Sequence, residues 1–197
     1  MAKFARGVVL GTVLLSGVVL LSGCSGDVTV PGASEETSSA ATATESSAAT
    51  ATPTATASGT PLTLSCTQIL SLQNVYDFNP NFGQNPTFTT PDQIAPLTKI
   101  GGVACGWINQ TSGDTFAVGV AKPDAVTQAA AANQAAADLQ AVPTYGANGT
   151  EGFFGVKSGV GVVEVFSKGY WVVLTSAGFL EPGDAAPLVE AVLANLG

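Results

Sequence analysis

The sequence predicts an α+β domain in which a two-strand hairpin and a three-strand meander form an antiparallel sheet with helices packed on it. Three observations lead there. Residues 103–109 and 114–121 alternate in polarity on either side of the turn-forming stretch Gln110, Thr111, Ser112 and Gly113. Residues 152–157, 160–167 and 170–176 read as strands separated by Ser158-Gly159 and Lys168-Gly169, which suit tight two-residue turns. Around these strands lie segments with helix-start signals and helical apolar spacing.

In chain order, Ser65 with Gln68 has the spacing of a capping box and opens a helix over 66–76 that would bury Ile69, Leu72 and Val75. Thr90, Pro91 and Gln93 supply a cap, a first-turn proline and a capping-box partner for a short second helix, against which Pro96 counts. In the first hairpin, pairing Asn109 with Asp114 puts Val103, Cys105 and Trp107 on the same face as Phe116, Val118 and Val120. A slip of one residue would destroy that shared face. Pro123 and Asp124 then start an alanine-rich helix running to about Gln140. After the meander, Asp184 caps a last helix whose Leu188, Val189, Val192, Leu193 and Leu196 form one stripe.

The first residues belong to a different class. Lys3 and Arg6 precede an apolar run from Gly7 to Leu21, the layout of a secretory signal. The run is at the short end for a membrane span, which needs about 20 apolar residues. Leu21, Ser22, Gly23 and Cys24 then match the lipobox of bacterial lipoproteins, which implies cleavage after Gly23 and a diacylglyceryl group, with palmitate-type acyl chains, on the Cys24 thiol. The expected organisation is a signal peptide over 1–23, a lipidated Cys24 and Ser/Thr/Ala/Pro tether over 24–60, and a single extracytoplasmic domain over 61–197. The tether holds almost nothing large and apolar, so it cannot bury enough surface to fold. As a coil it averages about 33 Å end to end and stretches to about 120 Å. The expected address is the outer face of the bacterial cytoplasmic membrane, with the lipid bilayer as partner through Cys24.

Lipidation also settles the cysteine count. Cys66 and Cys105 remain, in an oxidising compartment, and are expected to form a disulfide. Removal of Lys3 and Arg6 leaves four lysines against fourteen acidic residues, a formal net charge of −10 that disfavours nucleic acid and anionic headgroups. The chain has no histidine, which excludes Ser-His-Asp and Cys-His catalysis. No calcium loop, phosphate-binding glycine loop or dinucleotide fingerprint is present, so no cofactor, metal or catalytic set is expected. A carboxylate pair or a Ser–Lys dyad assembled in space is the remaining route to a histidine-independent hydrolase.

Cys66 at the start of the first helix, the Cys105-Gly106-Trp107 strand, and the segment GANGTEGFF followed by VVEVF and YWVVLTS together resemble small extracytoplasmic lipoproteins of high-GC Gram-positive bacteria, many with a domain of unknown function. The resemblance covers most of residues 62–197 and implies location, the disulfide and an α+β domain. It carries no activity.

Two segments are candidate ligand surfaces. Glu164 lies inside an apolar strand, opposite Val173, with Phe166 opposite Trp171. One reading is an aromatic-lined groove with a single acid; the other is a solvated carboxylate beside a cross-strand aromatic pair. The second segment, Tyr76, Asp77, Phe78, Asn79, Pro80, Asn81, Phe82 and Gly83, could stack on and hydrogen-bond a sugar or peptide, or make turns while its aromatics plug the core. The expected function is a non-enzymatic, membrane-anchored module that binds a small ligand, glycan or envelope protein. A structural or accessory subunit of a membrane or cell-wall complex is the competing reading.

Overall fold

A computed structural model of the chain describes residues 56–146 and 149–197. The expected signal peptide, Cys24 and the tether up to residue 55 lie outside the described residues. The elements run β1 (Gly59–Thr60), α1 (Cys66–Ile69), α2 (Leu72–Phe78), β2 (Phe82–Gln84), α3 (Ala95–Lys99), β3 (Val103–Asn109), β4 (Thr115–Pro123), α4 (Ala125–Asp138), β5 (Gln140–Ala141), β6 (Glu151–Lys157), β7 (Val160–Ser167), β8 (Tyr170–Ser176) and α5 (Pro182–Leu196). The fold is α+β, an open antiparallel sheet of eight strands with helices packed on it.

The first hairpin has the register its apolar pattern dictates. Cys105 pairs with Val118 and Trp107 with Phe116, and the Asn109 N–H donates to the Asp114 carbonyl at 2.7 Å. The meander turns behave likewise. Ser158 and Lys168 have φ of 52° and 50°, and Gly159 and Gly169 both have φ of 80°. Two successive positive φ values define the turn whose twist suits a two-residue hairpin. Hairpin and meander are one sheet, because β4 pairs with β8 and gives the order β2-β3-β4-β8-β7-β6-β5. β1 adds to β4 through Gly59 and Thr60, residues that the composition places in the tether.

Both faces of this sheet are apolar, and helices cover both. Trp107, Phe116, Val118, Val163, Val165, Val172 and Leu174 pack with Ile69, Leu70 and Val75 and with Leu188, Val189 and Val192 of α5. On the other face Ala117, Ala121, Val162, Phe166 and Val173 pack under Ile94, Leu97 and Ile100 around α3 and under Ala135 and Leu139 around α4. The Cys66–Cys105 disulfide ties α1 to β3, with the two Cα atoms 5.6 Å apart.

Local differences from expectation have identifiable causes. The helix predicted over 66–76 is two helices, because Ser71 and Asn74 form a second capping box that restarts the chain after Leu70. The restart rotates the following turn. Leu72 is 76% exposed, and Leu70 is buried in its place. The second helix starts at Ala95 and not after Thr90; Ile94 precedes it without a side-chain cap, and Pro96 sits in the first turn, where its missing N–H costs nothing. Asp184 occupies the third position of α5, and its carboxylate accepts the Leu180 and Glu181 N–H groups at 2.8 and 3.0 Å. Pro123 ends β4 and does not open the alanine-rich helix; Asp124 caps α4, accepting from the Thr127 N–H at 2.7 Å, and the helix ends at Asp138.

Candidate functional site

Glu164 stands in the middle of β7, between Phe153 of β6 and Val173 of β8. The Lys168-Gly169 turn fixes that register and sets Phe166 against Trp171, their rings stacked at 5.9 Å. The Trp171 Nε1–H donates to Glu164 Oε2 at 3.0 Å, so the one polar atom of the indole and the half-buried carboxylate satisfy each other. Burial pushes the Glu164 carboxyl above its usual range; the Trp171 hydrogen bond and the Lys157 ammonium pull it back in part, and Asp138 adds to the rise. Lys157 and Asp138 themselves pair at 3.1 Å.

The sign of this effect gives a prediction. A carboxyl that holds its proton more tightly in the folded than in the unfolded chain weakens the fold as pH rises through its raised pKa, and the loss is recovered on acidification to the ordinary value. Glu164→Gln keeps an acceptor for Trp171 and removes the charge. Its Tm should exceed that of the parent at pH 7, and the two should converge near about pH 4. A gap that stays constant between those two pH values in thermal melts would rule out the Glu164 charge as its source.

The face that carries Glu164 is covered and is not an open groove. Phe166 is buried under the helices, and α4 approaches closely because its inner residues are alanines. One edge of the aromatic row remains accessible. Trp171 closes an apolar cleft of about 400 Å³ whose walls are Pro96 and Ile100 on one side and Val126, Thr127 and Ala130 of α4 on the other. Thr56 and Ala57 complete it, so the chain enters the domain along this cleft. Ser58 is fastened there: its N–H donates to Thr127 Oγ1 at 2.9 Å and its hydroxyl donates to the Asp124 carboxylate.

The second candidate segment divides between core and surface. Phe78 and Phe82 pack edge-on or tilted against Phe116, with ring centroids 5.7 and 5.0 Å away, and Phe116 stacks on Trp107 at 4.9 Å. Tyr76 points outward from α2 and joins neither group. Phe78, Asn79 and Phe82 also border a cavity of about 270 Å³, together with Asn109, Asp114, Phe179 and Asp184. Sequence reasoning missed these last four, which come from the β3–β4 turn and the segment entering α5, and no local pattern links them.

A third cavity, of about 510 Å³, lies between α5 and the segment before β6, with Tyr145, Thr150, Ser167, Lys168 and Glu190 among its walls. Three of its hydroxyls are engaged: Thr150 and Ser167 bond each other at 2.9 Å, and Tyr145 bonds the first residue of α5. The Tyr145 hydroxyl donates to the Pro182 carbonyl at 2.6 Å, and burial with the Asp184 charge pushes its pKa up to about 12. Among the described residues, no three His, Cys, Asp or Glu side chains are grouped so as to hold a metal ion. No family model matches the chain, and no curated protein or solved structure is similar to it, so the fold and its candidate sites rest on this chain's own residues.

Proposed function

We propose that this protein is a lipid-anchored extracytoplasmic binding module, without catalytic activity, that takes a small apolar ligand into the cleft closed by Trp171. The cleft is the observation that carries the reading. Its walls are almost entirely apolar, its volume of about 400 Å³ falls in the range of small-molecule sites, and its floor is an indole already held in place by Glu164. A perturbed carboxyl beside a concave apolar surface is a common mark of a binding site. The competing role, a subunit docked in a larger complex, calls for one broad apolar patch. The large exposed apolar residues are instead distributed over α2 (Leu72, Tyr76), α4 (Val126), β6 (Val156) and the segment before α5 (Leu180).

The anchor rests on the amino-terminal pattern, in which Lys3, Arg6, the apolar run and Leu21-Ser22-Gly23-Cys24 act in sequence. Cys24→Ala in a bacterial host should abolish incorporation of labelled fatty acid; label retained by the variant would exclude Cys24 as the lipidated residue.

The ligand site has its own test. The described residues belong to one compact unit, so a chain starting at Ser25 keeps the folded part and dispenses with the lipid. Titration with a brominated fatty acid should quench tryptophan emission to saturation at one site per chain, because Trp171 borders the cleft and Trp107 is buried on the other face. Ala130→Phe, which fills the cleft from its exposed rim, should weaken binding at least tenfold, about 1.4 kcal/mol. Equal quenching in parent and variant would sink the assignment.

A further inference from the structure

The cavity of about 270 Å³ beside Phe78 and Phe82 lies on the opposite side of the sheet from the Trp171 cleft and has a different chemistry. Its apolar walls are aromatic: Phe78, Phe82 and Phe116 form one cluster, with ring centroids 5.0 to 5.8 Å apart, and Phe179 faces the same space. Gly161 lets the Phe179 backbone approach β7 closely, because any side chain there would collide with the Phe179 carbonyl.

Three polar groups converge on those rings with bonding capacity to spare. Asn109 is 8% exposed, and its Oδ1 is fully engaged by the Thr111 N–H at 3.0 Å, the Thr111 hydroxyl at 2.8 Å and the Ser112 N–H at 3.2 Å. Those three bonds fix the orientation of the amide. Asn109 borders the cavity, and its Nδ2 has no partner among the described residues, which leaves a donor open to an acceptor. Asp184 uses Oδ2 for the two N–H groups at the start of α5, and Asp114 uses Oδ2 for the Ser112 hydroxyl at 2.6 Å, so Oδ1 of each has no partner among the described residues. Among the described residues, no lysine lines this space.

We propose that this cavity binds one ring of a neutral carbohydrate. A sugar hydroxyl is donor and acceptor at once, so it can donate to the Asp114 or Asp184 carboxylate and accept from Asn109 Nδ2. The C–H face of the ring packs on Phe78 and Phe82, the two partly exposed rings, with the buried Phe116 and Phe179 behind them. An anion would be repelled by two carboxylates, an apolar ligand would strand all three polar groups, and a cation would meet the Asn109 donor head-on. At about 270 Å³ the cavity falls just under the about 300 Å³ at which small-molecule sites start, so it has room for a single ring only and neighbouring units lie outside. This inference does not depend on the Trp171 cleft.

The test uses the chain starting at Ser25 and a panel of methyl pyranosides of glucose, galactose, mannose and N-acetylglucosamine with their short oligomers, followed by NMR shift changes of the Asn109 side-chain amide. At least one should bind saturably, with Kd in roughly the millimolar range or tighter. Asn109→Asp keeps the oxygen that organises the turn and deletes the donor; Asp184→Asn keeps the helix cap and deletes the charge. Each should weaken binding at least tenfold in protein whose circular dichroism stays native at the titration temperature, and Ala130→Phe should leave binding unaltered. Absence of saturable binding across the panel overturns the proposal. So does binding that both variants retain, or binding of tetramethylammonium that Asn109→Asp strengthens, which would identify a cation site.

Discussion

Replacing Cys66 and Cys105 together by alanine should lower the stability of the domain by about 4 kcal/mol and its Tm by at least roughly 10 °C. The bond joins positions 39 apart in sequence, and between them lie α2, β2 and α3, none longer than seven residues. Such short elements have little stability of their own. The disulfide therefore restricts, in the unfolded chain, a stretch whose ordering entropy is offset least by local structure. Urea or thermal unfolding of the oxidised parent, the parent under reductant and the double variant should place the last two together, well below the first. If reduction left the midpoint unchanged while the variant fell, lost packing around Cys105, which is 1% exposed, would be responsible and the cross-link would not.

Local rules placed most of the regular structure because they act within a few residues. The hairpin register followed from a shared apolar face that only one alignment of Cys105, Trp107, Phe116 and Val118 provides. The turns at Lys168-Gly169 and Ser158-Gly159 followed from residues that tolerate positive φ. What stayed hidden is long-range. The pairing of β4 with β8 joins residues 50 to 60 apart, and the two-residue strands β1 and β5 exist only because a neighbouring edge was there to receive them. The break at Leu70 was written in Ser71 and Asn74, a second capping signal lying inside the pattern of the first.

The candidate sites divide in the same way. The cross-strand neighbours of Glu164 could be read from strand alternation, but the hydrogen bond from Trp171 and the cover provided by α3 and α4 depend on tertiary packing. The aromatic and amide content of residues 76–83 marked that segment for stacking and hydrogen bonding. Phe78 and Phe82 turn out to serve the core and a cavity wall at once, and the acids that complete that wall, Asp114 and Asp184, come from turns 70 residues apart in sequence. Chemistry was visible one segment at a time, and convergence was not.

Phe116→Ala should cost about 3–5 kcal/mol, the range for emptying a buried phenylalanine site. Phe116 is 2% exposed and is the common neighbour of Trp107, Phe78 and Phe82, so its removal takes a packing partner from three rings at once. The cavity cannot collapse easily, because Trp107 and Phe116 are paired across β3 and β4 and the sheet backbone holds their spacing. Phe116→Leu should recover more than half of the loss, since shape rather than hydrophobicity alone is then changed. The two largest effects also test each other. Domains of this size have about 5–15 kcal/mol in total, so Phe116→Ala should leave the oxidised protein folded but close to its limit, whereas the same variant under reductant should be largely unfolded at 25 °C. Circular dichroism of the four combinations decides it. A reduced Phe116→Ala protein with full native signal would mean that either the cross-link or the aromatic cluster contributes far less than its place in the fold implies.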